Sequence, residues 1–220
     1  MTNRAVEVLK AVDMIACEDT RHSGLLLQHY HIRNRLTSYH EYNKVSRTPE
    51  LLVQLQQGRS IALITDAGTP GISDPGFYLI RAAVQAGITV IPVPGASALL
   101  AGLVVSGLPS DRFAFEGFLP KRDGRRRKRL AALKSEERTT VYCEASRRAK
   151  RLLEEMLELW GDRDVVVCRE LTKRFEEVLR GKLTEVLARI GDRELKGEVV
   201  VVVAGAGEEE DEREDEAAGA

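Results

Sequence analysis

The chain has 220 residues, of which 43% are hydrophobic and 30% charged, a composition typical of a globular protein with one large domain or two small ones. No apolar run reaches the length of a membrane-spanning helix and no signal peptide is recognisable, so we expect a soluble, cytoplasmic protein. The net charge is -1, but residues 208–216 hold eight acids and one arginine, which leaves the remaining residues mildly basic.

Three cysteines, Cys17, Cys143 and Cys168, lie far apart, each within or beside an apolar run. An odd number at this spacing favours buried, reduced thiols on strands over a disulfide framework or a metal site. The histidines show no spacing typical of metal ligands either, and we predict no metal.

The first two-thirds of the chain alternate short apolar runs with longer amphipathic ones, a pattern that predicts βα units and a mainly parallel sheet. We predict helices at 4–11, 21–29, 45–57, 76–86 and 96–106, and strands at 12–17, 36–39, 60–65 and 88–93. After a break at 107–111 we predict strands at 113–116, 139–143, 164–168 and 198–204, and helices at 147–160 and 183–190. The sequence thus predicts an α/β protein with domains at 1–110 and 111–205 and a disordered acidic tail at 206–220.

The most informative segment is the loop at 65–76, between a predicted strand and a predicted helix. Its three glycines and two prolines let main chain approach a ligand closely, at the sheet edge where open α/β folds bind ligands. Asp66 and Asp74 would repel a phosphate, and they suit a ligand with hydroxyls or a positive centre. The alternative is an ordinary tight loop in which Asp74 caps the next helix.

A second loop, at 93–98, also joins a predicted strand to a predicted helix. Ser97 either caps that helix or contacts a ligand. Because both loops leave neighbouring strand ends, we expect them to form two walls of one pocket.

These two loops resemble the S-adenosylmethionine loops of the tetrapyrrole methylases and, more narrowly, those of the ribosomal small-subunit methyltransferase I group. Four further segments agree with that group, at 17–22, 113–120, 142–144 and 169–173. The resemblance extends from about Arg4 to Ala204. It implies two α/β domains of the class III methyltransferase type with a ligand cleft between them, and a homodimer.

By this resemblance the chain would transfer a methyl group from S-adenosylmethionine to the ribose 2'-hydroxyl of a cytidine in 16S ribosomal RNA of the small subunit. The implied contacts with S-adenosylmethionine fall on the two loops and on one strand of the second domain. They are Asp66, Ala67, Gly68, Thr69, Pro70, Ile72, Ser73, Asp74, Ser97, Tyr142 and Glu144.

Methylation of a hydroxyl requires that the hydroxyl oxygen is aligned with the methyl group of the donor and that the poorly acidic hydroxyl proton is removed. The candidate catalytic residues in the matching segments are Glu18, Asp19, Glu116 and Lys173. Asp19 either joins Glu18 in a carboxylate pair or caps a helix. Lys173 either loses its proton through desolvation or holds a phosphate as a cation.

The segment 121–129 carries seven cations in nine residues, enough to neutralise several phosphates. Gly124 makes it loop-like, and we interpret it as an RNA contact rather than a solvated helix face. The predicted RNA-binding residues are Arg21, Lys121, Arg122, Arg125, Arg126, Arg127, Lys128 and Arg129. The acidic tail either folds back on this segment or keeps the protein soluble.

The family begins with an apolar strand and a Pro-Thr-Pro-Ile-Gly-Asn loop, and Met1 lines up just after that loop. We expect this strand and loop to be encoded upstream of a misplaced start. Two alternatives within the fold are a non-catalytic RNA-binding remnant and a tetrapyrrole-type methyltransferase of small molecules, which does not need clustered cations. A dinucleotide oxidoreductase is disfavoured because no Gly-x-Gly-x-x-Gly follows the first strand.

Overall fold

A computed structural model describes residues 1–207, which divide into two compact units, one of residues 1–97 and one beginning at residue 98. The first unit contains α1 (Asn3–Ala11), β1 (Met14–Cys17), α2 (Thr20–His29), β2 (Leu36–Ser38), α3 (Lys44–Gln56), β3 (Ile61–Ile64) and α4 (Phe77–Gln85). The second contains α5 (Ala98–Ser106), β4 (Phe113–Phe118), α6 (Asp123–Ala132), β5 (Thr139–Ala145), α7 (Ser146–Trp160), β6 (Asp164–Arg169), β7 (Glu177–Lys182), α8 (Leu183–Ile190) and β8 (Glu198–Val203). The predicted α/β class is confirmed.

The first unit is built on a parallel three-stranded sheet in the order β2-β1-β3. All four residues of β1 are buried, and they alternate between two apolar layers. Met14 and Ala16 pack with Leu51 of α3, while Ile15 packs with Leu9 of α1 on the other face. Both faces are therefore covered, as a parallel sheet requires.

Two strand predictions in the first unit need correction. The apolar run of β3 predicts a buried strand, but β3 is the edge strand of its sheet, and its four residues are all partly exposed. The segment 88–93 is not a strand, and its Val90 and Ile91 are exposed. Its β-branched residues favour an extended backbone, but a strand also needs a neighbour that exchanges hydrogen bonds with it, and Pro92 has no N–H to donate.

The second unit is built on a mixed five-stranded sheet in the order β4-β5-β8-β6-β7. β4 and β5, which lie in the first two-thirds of the chain, are parallel, as predicted for that part, whereas the later strands β6, β7 and β8 pair in antiparallel fashion. The edge strand β7 was not predicted, because Val178 and Leu179 are its only large apolar residues. Charged edge strands of this kind resist further pairing.

Helix α5 groups with the second unit, although its sequence falls in the first predicted domain. A Cβ atom on Gly102 would lie 2.8 Å from Cγ1 of Val200 in β8, so α5 packs directly on the second sheet. The small residues of α5 permit this close packing.

The cation-rich segment is helical rather than loop-like. Asp123 stands in the first turn of α6, where an acid favours the helix, and Gly124 is accommodated with no atom near its missing side chain. Arg126 and Leu130, four residues apart, form the buried face of α6. Most of the predicted acidic tail lies outside the described residues, and no helix within residues 1–207 is long and apolar enough to cross a membrane.

The three cysteines all lie on strands and are free thiols. Cys17 and Cys168 are buried, as predicted, and Cys143 is partly exposed. Burial raises the pKa of the Cys168 thiol to about 11, so it stays protonated at neutral pH.

Candidate functional site

The carboxyl ends of β1 and β3 bring two predicted site segments together. Because these strands are parallel neighbours, the residues that follow them meet at one sheet edge. The hydroxyl of Thr65 donates a hydrogen bond to Glu18 Oε2 at 3.0 Å, and Asp66 Oδ2 lies 3.9 Å from His22 Nδ1. Thr65 was not among the predicted site residues, although its place as the first residue of the loop at 65–76 indicates such a role.

Asp19 caps helix α2 and does not form a carboxylate pair with Glu18. Its Oδ1 accepts hydrogen bonds from the backbone N–H groups of Arg21 at 2.8 Å and His22 at 3.4 Å. The hydrogen bonds from Arg21 are the main cause of a lowered pKa for Asp19. The capping alternative therefore describes Asp19, and the exposed Arg21 side chain lies beside it with Nη2 3.4 Å from Oδ2.

The loop at 65–76 has an unusual backbone path. Gly68, Gly71 and Ser73 have φ angles of 80°, 85° and 60°. A Cβ atom on Gly76 would lie 2.8 Å from the backbone N of Gly71, so the loop closes on itself where only glycine fits. A Cβ atom added to Gly68 would lie 3.9 Å from Asp74 Oδ2, so the Asp74 carboxylate lies close to the backbone at Gly68.

A hydrogen bond joins the loops at 65–76 and 93–98 within the first unit, although no strand precedes the second loop. That the two loops form walls of one pocket stays a prediction. The hydroxyl of Thr69 donates to the carbonyl of Ala96 at 3.3 Å. Among the predicted S-adenosylmethionine contacts, six on the first loop are exposed: Asp66, Ala67, Gly68, Thr69, Ile72 and Ser73. Pro70, Asp74 and Ser97 are partly exposed. This surface presents carboxylates, hydroxyls and accessible main chain.

Glu144, near the end of β5, carries an unsatisfied acceptor. Its Oε1 accepts from the backbone N–H of Ala145 at 2.7 Å and pairs with Arg148. Its Oε2 is buried and accepts no hydrogen bond within residues 1–207, and Arg148 Nε is likewise buried without a partner. Buried polar atoms are nearly always hydrogen-bonded in complete structures. Glu144 Oε2 therefore suits a ligand donor, and Arg148, which was not predicted, positions this carboxylate.

Tyr142 is a predicted ligand contact that the structure places in the core. Its side chain is fully buried, with its ring centroid 6.4 Å from that of Trp160. Burial raises the pKa of its hydroxyl well above the ordinary value. Tyr142 shares a strand face with Glu144, two residues away, and packs in the core, and its contact with a ligand stays a prediction.

Lys173 is held as a cation. Its Nζ lies 3.0 Å from Glu198 Oε2 and 3.1 Å from Glu170 Oε1, and these two carboxylates raise its pKa. Glu170 also accepts from the backbone N–H of Glu198 at 2.9 Å and has a φ angle of 49°. The loop after β6 is thus fixed in a strained conformation around a charged lysine, which disfavours Lys173 as a proton acceptor.

Three of the predicted RNA-binding arginines in α6 are paired with acids. Arg126 is buried and donates to both carboxylate oxygens of Glu155 at 2.6 Å, so it anchors α6 to α7 and is not available to RNA. Arg127 bonds Glu158, and Arg129 donates to Glu116 at 2.8 and 2.9 Å. Glu116, a predicted catalytic candidate, is therefore neutralised by an arginine.

Four cations of the same segment are exposed and have no acidic partner among residues 1–207. They are Lys121, Arg122, Arg125 and Lys128. Arg125 and Lys128, three residues apart, lie on the side of α6 opposite its buried residues. This group is hereafter called the cationic face of α6, and its charges are free to bind phosphates.

The chain belongs to the tetrapyrrole methylase family, since residues 1–187 match the family model described as tetrapyrrole (corrin/porphyrin) methylases. Its fold is that of solved methyltransferases: a structure titled methyltransferase CobJ superposes with a TM-score of 0.65 at 20% identity, covering 94% of this chain and 88% of that one. A uroporphyrin-III C-methyltransferase from Thermus thermophilus, complexed with S-adenosyl homocysteine, gives a TM-score of 0.60 at 19% identity, covering 93% of this chain and 90% of that one.

Closer relatives carry a narrower name. A ribosomal RNA small subunit methyltransferase I of Synechocystis sp. is 50% identical over 203 residues, covering 92% of this chain and 73% of the relative. The protein of the same name from Escherichia coli O157:H7 is 47% identical over 205 residues, covering 92% and 72%. These similarities confirm the resemblance predicted from the six motifs.

Proposed function

We propose that this chain uses S-adenosylmethionine to methylate the ribose 2'-hydroxyl of a cytidine in 16S ribosomal RNA. One observation carries the proposal. Over 92% of the chain, about half of the aligned residues are identical to those of ribosomal RNA small subunit methyltransferases I. The cationic face of α6 supports an RNA substrate over a porphyrin-type one, because a small macrocycle does not need a row of unpaired cations. The cytoplasm, where thiols stay reduced, is the proposed compartment, and the family resemblance supports a homodimer.

The candidate residues fit S-adenosylmethionine chemically. In the first unit Asp66 offers an exposed carboxylate and Gly68 leaves main chain accessible. In the second unit, taken by itself, Glu144 Oε2 is a buried acceptor that needs a donor. Such acceptors match ribose hydroxyls, an amino group and a positive sulfur, and they do not match a phosphate. When bound, S-adenosylmethionine supplies an activated methyl group.

Among the four predicted catalytic residues, Glu18 is the best candidate to accept the proton. Asp19 caps a helix, Glu116 is paired with Arg129, and Lys173 is held protonated. Glu18 has only a neutral hydroxyl, that of Thr65, as hydrogen-bond partner within the described part of the chain. We propose that its carboxylate takes the proton of the ribose hydroxyl, while Lys173 serves as a fixed positive charge for RNA.

The test is methyl transfer from tritiated S-adenosylmethionine to small ribosomal subunits isolated from cells that lack this modification. We expect label in 16S RNA, in a dinucleotide that resists alkaline hydrolysis and whose modified nucleoside is cytidine. Binding of S-adenosylmethionine and RNA without label in RNA would refute the proposal and favour a non-catalytic RNA-binding protein. Label transferred to uroporphyrinogen instead would favour the small-molecule alternative.

A further inference from the structure

The cationic face of α6 differs from the other three cations of the segment 121–129. Arg126, Arg127 and Arg129 each have a carboxylate partner, whereas Lys121, Arg122, Arg125 and Lys128 have none in the described range. Exposed charges of one sign repel one another and attract a polyanion. An acidic segment that can reach this face will therefore compete with RNA for it.

The chain leaves β8 beside the C-terminal end of α6. The backbone N–H of Ala206 donates to the carbonyl of Glu136 at 2.7 Å, and Glu136 itself donates to Leu133, the residue directly after α6. A Cβ atom on Gly205 would lie 1.9 Å from the carbonyl oxygen of Glu137, so the end of β8 is in close contact with this turn. The described chain thus ends close to a contact with the turn that follows the helix with the unpaired cations.

These residues have the required charge and length. Residues 208–216 contain eight acids and one arginine, a net charge opposite to that of the cationic face. Nine residues span at most about 30 Å, while the ten residues of α6 extend over about 15 Å. Lys121 and Arg122, which precede α6, add at most about 7 Å. The acidic run can therefore reach every cation of the face from its starting point.

We propose that residues 208–216 bind the cationic face of α6 and compete there with the phosphates of RNA. The inference rests on the proposed function only in naming RNA as the competitor, because the contact itself requires no methyl transfer. A tethered ligand acts at an effective concentration of about millimolar. Since the contact is electrostatic, we expect it to lower polyanion affinity by on the order of tenfold at low salt and by progressively less as salt screens it.

The experiment measures binding of inorganic polyphosphate to two full-length chains. One is the unaltered protein, and in the other the eight acids at 208–216 are replaced by Gln and Asn, which keeps the length and removes the charge. We expect the neutralised chain to bind about tenfold more tightly at low salt, with the difference gone near 1 M salt. Equal affinities at low salt would overturn the proposal.

A matched pair of variants locates the contact. The double substitution Arg125→Gln and Lys128→Gln is introduced into the unaltered chain and into the neutralised chain. Thermal unfolding then verifies that all four proteins are folded. If the acidic run acts on α6, neutralising it tightens binding clearly less once these two cations are gone, because only Lys121 and Arg122 of the face remain. An undiminished gain would show general repulsion by the acids and overturn the inference. If the four affinities for polyphosphate follow this pattern but the protein never methylates ribosomal RNA, the proposed function fails and this inference stands.

Discussion

Glu18 and Asp19 show how two adjacent carboxylates acquire different roles from their surroundings. Asp19 precedes α2 and satisfies two backbone N–H groups that would otherwise lack partners. Glu18 points to the hydroxyl of Thr65 across the sheet edge. The sequence placed both residues at the site but left their roles open, because the side-chain direction at a strand end depends on tertiary contacts.

Replacing Glu18 by Gln removes the proposed proton acceptor and keeps the side-chain size. We expect the rate of methyl transfer in a single turnover to fall by about 10²- to 10⁴-fold, while the affinity for S-adenosylmethionine is retained. Asp19→Asn is the control, since Asn also caps helices and the rate should change little. A Glu18→Gln protein with the normal rate would exclude Glu18 as the base.

The buried pair of Arg126 and Glu155 predicts a stability effect with a defined pH dependence. Glu155→Ala leaves Arg126 buried with only Asp123 as partner, and we expect a loss of about 3 kcal/mol in the free energy of unfolding. Hydrogen bonds from Arg126 lower the pKa of Glu155 below its ordinary value of 4.5. The pair therefore stabilises the fold above about pH 4.5, and this contribution is lost as the pH falls through the folded-state pKa.

Denaturant unfolding between neutral pH and about pH 3 checks this, with Glu158→Ala as the matched control because Glu158 pairs with Arg127 on an exposed surface. A Glu155→Ala protein as stable as the control at neutral pH would contradict the prediction.

At the scale of elements, the loop at 65–76 depends on a glycine that the sequence did not single out. Gly76→Ala would place a Cβ 2.8 Å from the Gly71 backbone, so the loop must move. We expect at least a tenfold loss of affinity for S-adenosylmethionine by calorimetric titration. Gly87→Ala is the control, because Gly87 also has a positive φ but no atom near its missing side chain. Equal affinities for the two variants would separate the loop from ligand binding.

Elements with strong local patterns were predictable, and those that depend on pairing were not. The amphipathic helix α7 and the apolar strand β8 have nearly the predicted bounds. The segment 88–93 has strand-like residues without a pairing partner, whereas β7 forms from a charged sequence because β6 offers it an edge. Helix α6 formed despite Gly124, since its buried residues pack against α7 and the glycine costs only about 1 kcal/mol.

At the scale of the whole molecule, the order of the motifs indicated the family, whereas the composition did not. Six short segments together identified the family over nearly the whole described chain, and the match over residues 1–187 agrees. The charge distribution in the sequence indicated a cation-rich segment but not which of its cations are unpaired. Which cations stay free depends on acids as distant in sequence as Glu155 and Glu158, and no local pattern reveals those partners.

The increase in thermal stability on ligand binding distinguishes a methyltransferase from a dinucleotide oxidoreductase with a similar α/β fold. A ligand that binds only the folded protein stabilises it by about 2.7 kcal/mol at a concentration one hundred times its Kd. For a chain of this size such a gain raises the unfolding midpoint by about 5–10 °C. We expect S-adenosylmethionine and its demethylated product to produce this shift and NAD at the same concentration to produce none, because Asp66 and Asp74 disfavour a pyrophosphate at the loop. A shift with NAD alone would contradict the assignment of the loop at 65–76 to S-adenosylmethionine, and it would do so without any assumption about the RNA substrate.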